Sequence, residues 1–262
     1  MNDLISALII AIIQGITEWI PVSSSGHLFI FESLLGYKHS LTFDVALHFG
    51  TLMSVFVYFG RDITNIAEEL LKARFKSENG KLGIYLIIAT IPAGIAGFVF
   101  NDVFEQVFLD IKIVALGFGI TGLFLIIGSF SFERKQGLSH KSALIIGIAQ
   151  VFSLFPGISR SGTALSTGLI LGLKEKTALK FSFLMAIPIV FGANILEIGN
   201  EKLPSELIWA TLVSFIIGLL VLHVLYKYVL SSRRNLRYFG AYALLLGIIL
   251  FSLGIIATDL IN

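Results

Sequence analysis

Glu18, Ser24, His27 and Arg160 are the side chains best suited to carry a reaction, and each interrupts apolar sequence. Ser24 and His27 lie in PVSSSGH, residues 21–27. A hydroxyl close to an imidazole is the minimal pairing of nucleophile and base, and a histidine can itself accept a phosphoryl group. Glu18 follows Gln14 by four positions, which puts both on one face of a helix. Its carboxylate reads as a general base or as a hard oxygen ligand for Mg²⁺ or Ca²⁺. Arg160 lies in FPGISRSGT, flanked by Ser159 and Ser161. An arginine at bilayer mid-depth costs about 2.5–3.5 kcal/mol on insertion scales, so it needs an anionic partner. That partner is either Glu18 or the oxygens of a phosphate, which a guanidinium grips bidentately. Ser23, Ser25 and Thr163 add hydroxyls, although serines before an apolar run also serve as helix caps. Helices beginning at Leu28 and near Thr163 would turn free N–H groups toward an anion. Together these groups describe a pocket for a phosphate.

The elements that must hold these groups are written twice. Residues 7–26, ALIIAIIQGITEWIPVSSSG, align without a gap to residues 143–162, ALIIGIAQVFSLFPGISRSG. The chain has 262 residues, of which 56% are hydrophobic and 14% charged, and its mean hydropathy is +0.90. Apolar runs at 41–60, 82–100, 113–131, 178–198, 207–229 and 238–258 are long enough to cross about 30 Å of hydrocarbon as helices. Runs at 4–20 and 143–155 are shorter and stop at Pro, Gly and Ser. A soluble protein would show amphipathic stripes instead. The absence of cysteine excludes disulfides and thiolate chemistry. The net charge of +2 sits in loops and argues against a nucleic-acid partner. The first residues lack a basic segment and a cleavage site, so no removable signal is expected.

Loop charge orients the runs. If each short run is re-entrant, returning through a second short helix at 28–36 or 163–173, the loops at 61–81, 133–141, 174–177 and 227–237 share the cytoplasmic side. The loops at 101–112 (with Asp102, Glu105 and Asp110) and 197–206 then lie outside, with both termini. The predicted fold is an all-α polytopic membrane protein of one domain, residues 1–262. It has six transmembrane helices plus two re-entrant helical hairpins in an inverted-topology repeat with halves 1–135 and 136–262. Broken helices of such repeats meet near the midplane around a polar cavity. Asp44 and His48, again four apart, are placed near its mouth, and Pro92 and Pro188 are expected kinks.

QGITEWIPVSSSGH resembles the (E/Q)xxxE and PVSSxGH motif of bacterial undecaprenyl-pyrophosphate phosphatases, the type associated with bacitracin resistance, and PGISRSG resembles that family's PGxSRSG motif. The resemblance covers essentially the whole chain. It implies hydrolysis of undecaprenyl diphosphate to undecaprenyl phosphate and inorganic phosphate, with a divalent cation, to recycle the lipid carrier of peptidoglycan synthesis. It implies a multi-pass protein of the bacterial cytoplasmic membrane and competition with bacitracin for the lipid, while the loop-charge topology predicts a site that opens to the periplasmic face. Glu18, Ser24, His27 and Arg160 fall on the family's motif positions. Gln14 stands at the first acidic position, and Ala164 stands where a threonine is common, with Thr163 one place earlier. Ser24 as nucleophile with His27 or Glu18 as base, His27 as nucleophile, and attack by water all remain open on sequence. A transporter or flippase of a phosphorylated lipid is the rival, since inverted repeats with broken helices are a transporter layout. The sequence is compatible with a homodimer.

Overall fold

The computed structural model describes residues 3–38, 41–100, 103, 107, 110–134, 137–197, 205–229 and 232–259, and every regular element among them is helical. In chain order these are α1 (Asp3–Thr17), α2 (Ser24–Leu35), α3 (Leu41–Tyr58), α4 (Gly60–Leu71), α5 (Glu78–Val99) and α6 (Ile111–Ser129). There follow α7 (His140–Val151), α8 (Arg160–Ile170), α9 (Glu175–Glu197), α10 (Ser205–Val224) and α11 (Leu236–Asp259). A 3₁₀ turn, Phe152–Leu154, extends α7, and a π-helical turn, Leu225–Val229, extends α10. Asp102, Glu105, both chain ends and most of 197–206 lie outside the described residues.

Among the described residues four segments are long and apolar enough to cross a membrane: α5, α6, α10 with its π turn, and α11. A fifth arises if α3 and α4 count together, but the chain bends by 81° between them. α9 has 23 residues, a sufficient length, but it begins with the charged side chains Glu175, Lys176 and Lys180. The helices expected at 113–131 and 238–258 run from 111 to 129 and from 236 to 259. The segment 61–81, expected as a loop, instead begins with α4. Its Ile63, Ile66 and Leu70 pack on the main core while Arg61 and Glu68 face outward, the stripe of a surface helix.

α1, with 15 residues, and α7 with its turn each rise about 22 Å, short of the hydrocarbon core. Each is followed by a second short helix, α2 or α8, that packs against it. The packing is reciprocal: α1 lies against α10, α7 lies against α5, and α6 pairs with α11. Small residues allow the close approach. A β-carbon on Gly15 would fall 2.7 Å from Ile217, and one on Gly147 would fall 2.4 Å from the Ala89 carbonyl oxygen. Trp19, 1% exposed, packs edge-on to Phe183 and donates to Ser54 Oγ at 3.1 Å, which fixes the segment after α1 in the core.

The basic segments gather at one end. Lys180 Nζ donates to Asp62 Oδ1 at 2.6 Å, Arg233 Nε donates to Glu175 Oε1 at 2.6 Å, and Arg233 Nη1 donates to the Ser131 carbonyl at 3.0 Å. These bonds connect α4, α9, the segment after α6 and the turn before α11.

Candidate active site

The two Ser-x-Ser-Gly turns form alike. Ser23 caps α2, its Oγ accepting from Gly26 N at 3.3 Å, and Ser159 caps α8, its Oγ accepting from Gly162 N at 3.0 Å. Within each turn the two outer serine oxygens lie 3.3 Å apart: Ser23 with Ser25, and Ser159 with Ser161. The caps start both helices several residues earlier than expected from Leu28 and Thr163, because a side-chain acceptor satisfies the first free N–H. Ser24 and Arg160 therefore occupy the first turn of their helices, where the dipole favours an anion. Ser23 has φ 72°, a left-handed value costly for a residue with a β-carbon. Gly157 has φ 84°, and a β-carbon there would meet the Val114 carbonyl oxygen at 2.2 Å, so the second turn lies directly on the α6 backbone. Thr121 of α6 joins the turn at both sides, donating to the Gly157 carbonyl at 2.9 Å and accepting from Ser159 N at 2.9 Å.

Between the turns lies a cavity of about 180 Å³ lined by Glu18, Ser23, Ser24, Ser25, His48, Gln150, Ser153, Ser159, Arg160 and Ser161, with an apolar wall of Ala93, Leu154, Ile158, Ile189 and Val190. Glu18 is its hub. Ser24 Oγ donates to Glu18 Oε2 at 2.6 Å, Gln14 Nε2 donates to the same oxygen at 3.0 Å, and His48 Nδ1 lies 3.2 Å from it. Gln14 Nε2 also lies 2.9 Å from His48 Nδ1. Arg160 Nη2 donates to Glu18 Oε1 across the interface of the two turns. A carboxylate only 5% exposed needs this many partners, since a buried unpaired charge is costly. Three buried polar atoms at the cavity have no partner among the described residues, Arg160 Nη1 and both amide atoms of Gln150; Gln14, which does not line the cavity, also has an unpartnered Oε1.

Two expected site residues lie apart from this cluster. The His27 ring is directed away from Ser24, its Nδ1 2.6 Å from the Ser23 carbonyl and its Nε2 2.8 Å from Tyr242 Oη. It stacks on Tyr242 of α11 and meets Phe118 of α6 edge-on. Thr163 is buried, its backbone N donating to the Ser159 carbonyl, and it does not line the cavity. Asp44 is buried one turn before His48, which does line it. Gln150 and Ser153 were not singled out by their residue types alone. The repeat places Gln150 opposite Gln14 and Ser153 opposite Thr17, and that was the available signal.

Among the described residues no three His, Cys, Asp or Glu side chains cluster as a metal site. Glu18 lines the cavity and offers carboxylate oxygens, whereas Gln14, bonded to it through Nε2, does not line it. One carboxylate fits a hard cation that draws its remaining ligands from water and substrate phosphate.

Fold and site together define a multi-pass membrane protein with a buried, guanidinium-bearing pocket suited to an anion. A model of the family described as bacitracin resistance protein BacA matches residues 7–249, and the chain belongs to that family. It is 39% identical to an undecaprenyl-diphosphatase of Thermosipho melanesiensis over 94% of this chain and 98% of the relative. It is 42% identical to one of Caldicellulosiruptor bescii over 86% of this chain and 89% of the relative. It is 35% identical to one of Methanococcus vannielii over 91% and 95%, respectively.

Proposed function

We propose that the chain hydrolyses undecaprenyl diphosphate to undecaprenyl phosphate and inorganic phosphate, recycling the lipid carrier of cell-wall synthesis and conferring resistance to bacitracin, which competes for the same lipid. The observation that carries the mechanism is the 2.6 Å bond from Ser24 Oγ to a carboxylate that Arg160 holds from the other side. In this reading Ser24 Oγ attacks the terminal phosphorus and its proton passes to Glu18 Oε2. The bridging P–O bond breaks and undecaprenyl phosphate leaves. Water then cleaves the phosphoserine, releasing phosphate and returning the proton to Ser24. Glu18, rather than His27, is the base in reach of the hydroxyl. Arg160 Nη1 and the starts of α2 and α8 stabilise the charge that develops in the transition state. Ser23, Ser25, Ser159 and Ser161 add hydroxyls around the diphosphate. A divalent cation, Mg²⁺ or Ca²⁺, held by Glu18, would neutralise diphosphate charge when bound.

A cavity of about 180 Å³ accommodates a diphosphate head and not a prenyl tail. The tail therefore lies beyond the apolar wall of Ala93, Leu154 and Val190, toward lipid. In the membrane, we assign α1–α2 and α7–α8 as re-entrant hairpins that enter from opposite faces, with six spans completing two inverted halves. The length of α1 and α7 and the reciprocal packing of α1 on α10 and α7 on α5 support this. With basic segments cytoplasmic, the site opens to the outer face of the bacterial inner membrane.

The test is phosphate release from a polyprenyl diphosphate by purified protein in detergent. Arg160→Ala should abolish it. Equal, slow release by wild type and variant would end the enzyme reading and return the transporter. The chain lacks cysteine, so cysteines introduced at its ends should react with an impermeant reagent on intact cells. Labelling only after lysis would reverse the orientation.

A further inference from the structure

Among the described residues Gln150 is the least explained buried polar group. It is 1% exposed, it lines the cavity, and neither Oε1 nor Nε2 has a partner among the described residues. Its repeat counterpart shows why. Gln14 sits one helical turn before Glu18, and its amide is held by that carboxylate and by His48. One turn after Gln150 stands Leu154, which cannot accept a hydrogen bond. The second half has thus kept the glutamine and lost its carboxylate. A buried amide without a partner is costly enough to be rare in a native structure. Arg160 Nη1, on the same cavity, is unpartnered too.

We propose that Gln150 is a substrate-binding residue whose Nε2 donates to a non-bridging phosphate oxygen that also accepts from Arg160 Nη1. The substrate phosphate takes the place that Glu18 fills in the first half, so both unpartnered donors are satisfied only when the diphosphate is bound. Oε1 is then left for a water or a phosphate hydroxyl. The ligand class is a diphosphate monoester. The inference rests on the diphosphatase reading for the identity of the ligand, and on the geometry alone for the presence of an anion.

The test uses the full chain in detergent, with methylenediphosphonate as a non-hydrolysable probe. Gln150→Leu should weaken probe binding by about 10- to 100-fold, the worth of one hydrogen bond to a charged acceptor. It should raise KM for the polyprenyl diphosphate and leave the unfolding temperature unchanged or higher, because it removes an unsatisfied buried amide. Gln150→Glu, which keeps the shape and adds a negative charge, should bind still less. A merely structural glutamine predicts the opposite for Gln150→Leu: a lower unfolding temperature with probe affinity intact. Affinity within twofold of wild type in either folded variant overturns the proposal. If wild type binds the probe but releases no phosphate from the lipid, the diphosphatase reading fails while the anion contact stands.

Discussion

Ser24→Ala separates the roles that converge on Glu18. The alanine removes one 2.6 Å donor from Glu18 Oε2, which keeps Gln14 at 3.0 Å and His48 at 3.2 Å, while Arg160 stays on Oε1. The carboxylate is not orphaned, so the loss is a single charge-assisted bond at the low end of its range, about 1.5 kcal/mol. For a chain of this size that lowers the unfolding temperature by roughly 3–6 °C. The effect on turnover is of another order. A hydroxyl nucleophile held against its base accounts for on the order of 10³-fold or more of the rate. Phosphate release by the folded variant should therefore fall by at least that factor while the thermal midpoint drops by only those few degrees. Rapid quenching of wild type with labelled substrate should trap a phosphoenzyme that survives acid and is lost in base. A variant that retains a tenth of wild-type release, or an adduct that is acid-labile and base-stable, would refute serine attack. The second result would bring back His27, and the first would bring back water activated by Glu18.

Glu18→Gln should cost about 3–5 kcal/mol, because it leaves the Arg160 guanidinium buried without a counter-charge; a thermal midpoint matching wild type would mean the pair is open to solvent. Tyr242→Phe removes the hydroxyl at His27 Nε2 and should cost about 0.5–1.5 kcal/mol with phosphate release unchanged within a few-fold. A collapse of release in the folded variant would place His27 in the chemistry. Gly157→Ala combines a left-handed φ with a contact at 2.2 Å and should abolish accumulation of folded protein, read by size-exclusion chromatography in detergent. Exhaustive chelation should stop phosphate release, and Mg²⁺ or Ca²⁺ should restore it; undiminished release after chelation would remove the cation from the mechanism.

Most helices were legible because apolar length is local information, and the helices at 111–129 and 236–259 end within two residues of the apolar runs that announced them. What escaped depended on packing. α4 hid behind its charges, since a narrow stripe of Ile63, Ile66 and Leu70 does not raise mean hydropathy. The direction of the His27 ring is set by Tyr242, more than two hundred residues away, and by Phe118 beneath it. No spacing rule encodes that choice. The Glu18–Arg160 pair, by contrast, was foreseeable, because two opposite charges in apolar sequence have few other partners.

The repeat divides its labour by position. Where the two copies carry the same residue, they build the same local structure: Ser23 and Ser159 cap their helices through Gly26 and Gly162, with Ser25 and Ser161 at the same 3.3 Å from them. Where the copies differ, the site becomes chemically unequal. Glu18 faces Leu154 in the alignment, and Ser24 faces Arg160. The shared positions preserve two turns that can meet, and the differing positions put a carboxylate and a hydroxyl on one side of the junction and a guanidinium on the other. Two identical copies of the first turn would bring two carboxylates together with no cation between them. Two copies of the second would bring two arginines together. Each exchange alone leaves a buried charge uncompensated, and only the mixed pair is neutral at rest while still offering Arg160 Nη1 to an incoming anion. The inequality of the halves is therefore required by electrostatics before it is required by catalysis.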